Sequence, residues 1–164
     1  SALFHADFSR NIERRPLMKR WLFISLIPLL CWSCEDTNRR SSVPGAKVEY
    51  TLNITTEYPH FVPDNGFQTM TITQAQFRYE YVGYAGLLIW VDMDAKYNAA
   101  DLCCPNCIRR DKPVEIEGFY AICPICNEHF DLSYGYAMPT KGKTKESLRK
   151  YQVLLQENSI RIIN

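Results

Sequence analysis

The chain has 164 residues, of which 19 are Lys or Arg and 18 are Asp or Glu, and its formal net charge is +1. Residues 1–34 hold five of these cations and two of these acids, so the remainder carries 14 cations against 16 acids. This near-neutral balance argues against a basic nucleic-acid-binding surface, and no nucleic acid is expected among the partners.

The first element in chain order is a short targeting segment over residues 18–34. It begins with Met18-Lys19-Arg20 and continues with a predominantly apolar run over residues 21–30. A positive start and an apolar run of this length are typical of a secretory signal and too short for a membrane-spanning helix. The segment ends in Ser33-Cys34, which resembles a loose bacterial lipobox, so Cys34 is expected to be lipidated and to become the mature N-terminus. An ordinary cleaved signal and an N-terminal anchor helix are the alternatives.

Two further segments flank this signal. Residues 1–17 have no place in it, and we interpret them as an upstream over-extension with Met18 as the translation start. Residues 35–45 are polar and rich in turn-forming residues, as a flexible tether is. The remaining residues, 46–164, are enough for one small domain with its own core.

Strand patterns dominate this domain. Residues 48–54 alternate apolar and polar side chains, as a half-buried strand does, and residues 67–73 do so less cleanly. Residues 86–91 form a continuous apolar run with the length of a buried strand. Near the C-terminus, residues 151–155 and 159–163 are predicted to form a hairpin. No segment has the pattern of a long amphipathic helix, so the predicted fold class is all-β.

Two C-x-x-C motifs, here called knuckles, lie between these strand groups. Cys104 and Cys107 form the first, and Cys123 and Cys126 form the second after an interval of fifteen residues. This separation is typical of a four-thiolate metal site, because each tight turn presents two sulfurs to one ion. The interval fits a hairpin of residues 114–116 and 119–122, which would bring the second pair to the first.

The four thiolates leave the identity of the metal open. A tetrahedral set of sulfurs suits Zn²⁺ or a mononuclear iron, and four cysteines can also hold a [2Fe-2S] cluster. Two disulfides are a further alternative, because cysteines outside the cytoplasm often oxidise. The domain has a fifth cysteine, Cys103, which we interpret as the spare thiol and as the alternate to Cys104. Because the segment around the knuckles offers few apolar residues, we expect metal binding to contribute directly to its folding.

The residues around the second knuckle resemble a known family. The run from Cys123 through Phe130-Asp131 to Gly135 resembles the second cluster-binding loop of Rieske iron–sulfur domains. The resemblance extends over about residues 80–164 and includes 86–90, 100–105, 142–144, 148–153 and 160–162. It implies a small Rieske-like antiparallel β barrel or sandwich, with an inserted metal-binding lobe of two knuckles over about residues 100–140.

The ligand positions depart from this family. A Rieske centre uses two cysteines and two histidines, but Cys126 stands at the histidine position of the second loop, and the first loop contains no histidine. Asn127 and Glu128 stand where the family has Gly and Ser, and Lys143 replaces a proline. The histidine-ligated cluster is therefore not expected here. The chain is similar instead to Rieske-like lipoproteins of diderm bacteria whose two loops have become zinc-ribbon-like knuckles.

These features predict a location and a role. The resemblance to diderm lipoproteins implies a protein of the cell envelope that is lipid-anchored to a membrane. We expect the outer membrane and leave open whether the domain faces the periplasm or the cell surface. Residues 46–164 contain two histidines, His60 and His129, and no recognisable nucleophile–base pair, so no enzymatic activity is expected.

The predicted function is that of a non-catalytic module. Four thiolates on one Zn²⁺ leave no open position for water, so the site would be structural. The protein would then be an accessory or binding subunit beside other envelope proteins. The alternative is an electron-transfer protein with a cysteine-ligated iron–sulfur cluster, which would serve as a subunit of an oxidoreductase.

Overall fold

The computed structural model describes residues 41–164, so the predicted signal and its Cys34 lie outside the described residues. The described part forms eleven strands and one short 3₁₀ helix, Pro63–Asn65. The strands are β1 Val48–Asn53, β2 Gln68–Ile72, β3 Tyr81–Val82, β4 Leu87–Val91, β5 Tyr97–Asp101, β6 Glu115–Glu117, β7 Tyr120–Ile122, β8 His129–Asp131, β9 Met138–Lys141, β10 Lys150–Leu155 and β11 Ser159–Ile163.

The strands form two sheets in which every pairing is antiparallel. The larger one, here called the barrel sheet, has seven strands in the order β2-β4-β5-β10-β11-β1-β3. The smaller one, the lobe sheet, has four strands in the order β6-β7-β8-β9. The predicted all-β fold class, a barrel-like antiparallel sheet with a separate small lobe that carries the knuckles, is confirmed.

The alternating strands of the barrel sheet bury one face. In β1, Val48, Tyr50 and Leu52 are buried, and in β11 the buried residues are Ile160 and Ile162. Because successive side chains of a strand point to opposite faces, these five residues share one apolar layer. They belong to the core cluster inside the barrel sheet.

Strand β4 is buried on both faces, which explains its continuous apolar run. Leu87, Ile89 and Val91 belong to the core inside the barrel sheet, whereas Leu88 and Trp90 belong to the core shared with the lobe. The Trp90 indole N–H also donates to the Leu132 carbonyl oxygen at 2.9 Å, so a barrel strand is hydrogen-bonded to the lobe. A strand that is buried on both faces has no solvent-facing positions, so polar residues do not alternate with apolar ones along it.

The lobe is better packed than its sequence indicates. Its buried side chains include Val114, Ala121, Phe130, Leu132 and Ala137, all in one cluster with Leu88 and Trp90 of the barrel sheet. The expectation that the knuckle segment has few apolar residues to bury is therefore wrong. The lobe shares a core with the barrel, so metal binding is not its sole source of stability.

Several strands lacked a recognisable pattern in the sequence. Strand β5 contains Ala99 and Ala100, which are fully buried although alanine is depleted in strands. Strands β3 and β8 are only two and three residues long, and β9 contains Pro139 at an outer edge of the lobe sheet. The predicted hairpins are confirmed, with the first shifted by one residue so that Glu117 faces Tyr120.

The end of the predicted tether contacts the domain. The hydroxyl groups of Ser41 and Ser42 donate to the Glu146 carboxylate at 2.8 and 2.6 Å, and Val43 is buried. The Arg149 guanidinium donates to the Val43 carbonyl oxygen at 2.8 Å. Within residues 41–164 no helix has the length and apolar composition needed to cross a membrane.

Candidate metal centre

The structure brings together the four cysteines of the two knuckles. The sulfurs of Cys104, Cys107, Cys123 and Cys126 all lie within 4.8 Å of one another. Two contacts join the knuckles, with 3.7 Å between the sulfurs of Cys104 and Cys126 and 3.9 Å between those of Cys107 and Cys123. The first cysteine of each knuckle is buried, and the second is half-buried. The cluster therefore has one face in the protein core and one face near solvent.

The two knuckles have the same backbone geometry. The Ile108 N–H donates to the Cys104 carbonyl oxygen at 2.9 Å, and the Asn127 N–H donates to the Cys123 carbonyl oxygen at 3.0 Å. Ile108 and Asn127 both have positive φ, at 51° and 56°. Asn tolerates this left-handed conformation, but a β-branched Ile rarely adopts it. The first knuckle therefore holds a strained residue, Ile108, directly after Cys107.

Hydrogen-bond donors and burial set the acidity of these thiols. Burial raises the pKa of Cys104, although the backbone N–H groups of Cys107 and Asn106 point at its sulfur and act in the opposite direction. Burial also raises the pKa of Cys107 to about 12, with further increases from the neighbouring Cys126 and Cys123 sulfurs. Thiols of this kind are protonated near neutral pH, so a metal ion must displace their protons as it binds.

The pKa of Cys126 is lowered, in contrast to those of Cys104 and Cys107. Burial on its own would raise its pKa, but the Asn106 side chain, the Cys107 thiol and the Glu128 backbone N–H outweigh that effect and lower the pKa to about 7. Hydrogen bonds to a sulfur favour its charged form. The donor set around Cys126 therefore already suits a thiolate ligand.

Cys103 is buried beside the cluster but is not part of it. Its sulfur contacts the Cys104 carbonyl oxygen at 3.6 Å, and its side chain is fully buried. Burial raises its pKa to about 12, with a smaller contribution from the carboxylate of Asp101. The structure thus places Cys104, and not its neighbour, with the other three sulfurs.

A buried carboxylate that the sequence analysis did not single out braces the first knuckle. Asp101 is fully buried, and its oxygens accept the backbone N–H groups of Tyr84 at 2.6 Å, Ala85 at 3.1 Å and Cys103 at 2.8 Å. They also accept the Tyr151 hydroxyl at 2.6 Å. These bonds connect the start of the knuckle to the β3–β4 turn and to β10. The only feature of the sequence that pointed to this role of Asp101 was its position two residues before Cys103.

A second unpredicted carboxylate lies behind the second knuckle. Glu128 is 1% exposed, and its carboxylate accepts the backbone N–H groups of Lys143 and Thr144. Its backbone carbonyl oxygen accepts the Cys123 N–H at 2.9 Å. One indication was present in the sequence, since Glu128 stands where the Rieske loop that this segment resembles has serine.

His129 takes no part in the cluster. Its Nε2 lies 3.1 Å from the Asn127 side-chain oxygen and 3.4 Å from the Lys141 amine. The residues that the structure describes contain one group of cysteines, histidines and carboxylates able to hold a metal ion, and that group has four thiols and no imidazole.

The comparisons with known proteins identify no family. No protein-family model and no curated protein matches the chain. Among solved structures, it is similar to a chain from the complex of reduced oxygenase and oxidized ferredoxin in carbazole 1,9a-dioxygenase, at 14% sequence identity and a TM-score of 0.40. The superposition covers 62% of this chain and 95% of that chain.

Proposed function

We propose that this protein is a non-catalytic metal-binding module whose four knuckle cysteines hold one structural Zn²⁺. The observation that carries the proposal is the convergence of four sulfurs, from two loops distant in sequence, within 4.8 Å of one another. Thiolates are the preferred ligands of structural zinc sites. The ligands would be Cys104, Cys107, Cys123 and Cys126.

The spacing of the sulfurs favours a single ion. Four sulfurs at about 2.3 Å from one tetrahedral ion lie about 3.8 Å apart. The pairs Cys104–Cys126 and Cys107–Cys123 are at 3.7 and 3.9 Å, close to the edge of such a tetrahedron, and all four sulfurs lie within 4.8 Å of one another. A [2Fe-2S] cluster distributes its cysteines over two irons, so sulfurs on different irons would lie further apart.

Zinc is preferred to iron on grounds of affinity. Divalent zinc lies above divalent iron in the general order of affinities for nitrogen and sulfur ligands. With four thiolates bound, a tetrahedral zinc has no open position for water or substrate, so the site would hold the two loops together and would do no chemistry.

An electron-transfer function is the second candidate, and the half-buried side of the cluster favours it. Cys107 and Cys126 lie near solvent, and the neighbouring Ile125 is 50% exposed. A redox centre must lie close to the surface to exchange electrons with a partner. The sulfur spacing would suit a mononuclear iron better than a [2Fe-2S] cluster.

Metal content and the visible spectrum separate these candidates. We expect the full chain, purified anaerobically in detergent, to contain about one zinc per chain and to be colourless. Iron with visible charge-transfer bands would support the electron carrier, and inorganic sulfide beside it would indicate a cluster. A protein without metal and with its thiols oxidised would contradict both functions and would favour the disulfide alternative.

We further propose that the module belongs to the cell envelope and is anchored by lipid on Cys34, as an accessory or binding subunit beside other envelope proteins. The support is the signal-like segment over residues 18–34 and the resemblance to Rieske-like lipoproteins of diderm bacteria. A serine at position 34 removes the only thiol that follows a small residue at the end of this segment.

Metabolic labelling with an alkyne fatty acid tests this anchor. We expect the wild-type protein and Cys31→Ser to be labelled and Cys34→Ser to be unlabelled, because the thiol that accepts the lipid would be gone. Labelling that persists in Cys34→Ser, or that disappears in Cys31→Ser, would contradict the assignment.

A further inference from the structure

Glu128 is a buried carboxylate whose charge is matched by backbone groups. The described residues contain four ion pairs, and Glu128 belongs to none of them. Its Oε1 accepts the N–H groups of Lys143 and Thr144, the latter at 3.2 Å, and Oε2 contacts the same Thr144 N–H at 3.3 Å. Hydrogen bonds from an N–H to a charged acceptor are among the stronger ones in proteins. The carboxylate thus fixes a segment, Gly142–Thr144, that we call the covering loop.

The backbone of the same residue is joined to the second knuckle. The Glu128 carbonyl oxygen accepts the Cys123 N–H at 2.9 Å. The Glu128 N–H points at the Cys126 sulfur and contributes to its lowered pKa. One residue therefore connects both cysteines of this knuckle to the covering loop, which lies fourteen or more residues further along the chain.

The covering loop is shaped to receive this carboxylate. Gly142 has φ +125°, and a Cβ added to it would overlap the carboxylate of Glu128. A side chain at position 142 would therefore displace either the loop or the carboxylate. The buried carboxylate of Glu128 thus occupies the space that a side chain at position 142 would fill.

We propose that Glu128 is a positioning residue for the metal centre, which slows metal release by holding the second knuckle against the covering loop. The proposal rests on the four-cysteine metal site proposed above. Metal can be released through the half-buried Cys126 if this thiol turns away from the ion, and the Glu128 backbone and carboxylate oppose that movement. Groups that orient metal ligands typically change metal affinity about 10–100-fold when they are mutated.

The test compares two carboxylates of the full chain. Both Glu128 and Glu146 accept backbone N–H groups from distant segments, but Glu146 binds Ser42 and does not touch the knuckles. We expect zinc-loaded Glu128→Leu to lose its metal to a colorimetric chelator at least about 10-fold faster than wild type. Glu146→Leu should stay within about twofold of wild type, because its bonds do not reach the cysteines. Glu128→Gln, which keeps the shape and one acceptor oxygen, should fall between wild type and Glu128→Leu.

Two further measurements separate positioning from general destabilisation. Co²⁺-loaded Glu128→Leu should keep the absorption of a four-thiolate site, because all four ligands remain. If Glu128→Leu does not fold, Gly142→Ala tests the same contact with the carboxylate intact and should also accelerate release. The double variant Glu128→Leu/Gly142→Ala should be no faster than Glu128→Leu, since both changes break one contact.

The outcomes distinguish a failure of the proposed role of Glu128 from a failure of the proposed metal site. Release from Glu128→Leu within about twofold of wild type, or equal acceleration in Glu146→Leu, would overturn the role of Glu128 and leave the metal site standing. A wild-type protein that binds neither zinc nor cobalt would overturn both proposals at once.

Discussion

Replacing Cys104 by serine is expected to remove the bound metal and to lower the free energy of unfolding by about 4 kcal/mol or more, the range in which loss of a structural metal falls. For a domain of this size, such a loss lowers Tm by roughly 15 °C. The physical reason is that Cys104 supplies one of the four sulfurs and is itself 1% exposed, so the ion cannot recruit water there to replace it. Metal analysis and thermal unfolding of the full chain measure both effects.

Its neighbour Cys103 supplies the matched control. Cys103 is also fully buried and is adjacent in sequence, but it lies outside the cluster. We expect Cys103→Ser to keep its metal and to cost about 1 kcal/mol, the typical effect of a single substitution. Removing the metal from the wild-type protein with a chelator should lower its Tm to near that of Cys104→Ser. Equal and small effects of the two serine variants would show that the knuckles hold no metal.

The strands that were predictable from the sequence are those in which the order of apolar and polar residues reflects which faces are buried. Strands β1 and β11 alternate because one face is buried, and β4 reads as a continuous run because both faces are. Strand β5 gave no such signal, because its buried apolar residues are the small Ala99, in the core inside the barrel sheet, and Ala100, in the core shared with the lobe. Alanine at these positions reflects the close approach of neighbouring elements, which is a tertiary property.

The cysteines of the candidate site were also predictable, but the groups that brace them were not. The spacing of the cysteines in two C-x-x-C motifs is by itself typical of a four-thiolate site. Local sequence is therefore enough to propose Cys104, Cys107, Cys123 and Cys126. Asp101 and Glu128 have no such pattern, and an isolated acidic residue is usually solvated. Their partners are backbone N–H groups that folding brings from other segments, and a sequence does not show which amides those are.

The buried carboxylate of Asp101 is expected to matter nearly as much as the metal. Its Oδ1 accepts the N–H groups of Ala85 and Cys103, and its Oδ2 accepts the Tyr84 N–H and the Tyr151 hydroxyl. Asp101→Ala would leave these four donors in the core without an acceptor. An unsatisfied buried donor costs about 1–3 kcal/mol, so we expect Asp101→Ala to lower the free energy of unfolding by about 4 kcal/mol or more in a denaturant titration.

A variant at Tyr151 separates the contribution of the hydroxyl from that of the three backbone N–H groups to the stability lost in Asp101→Ala. Burial and the adjacent Asp101 carboxylate raise the pKa of Tyr151, so the phenol stays protonated and donates its hydrogen bond throughout the neutral pH range. Tyr151→Phe removes that one bond and leaves the three backbone N–H groups with their acceptor, so we expect a loss of about 1–1.5 kcal/mol. A cost for Asp101→Ala no greater than that of Tyr151→Phe would mean that the three amides find water or other acceptors. In that case Asp101 would not be the group that holds the start of the first knuckle in place.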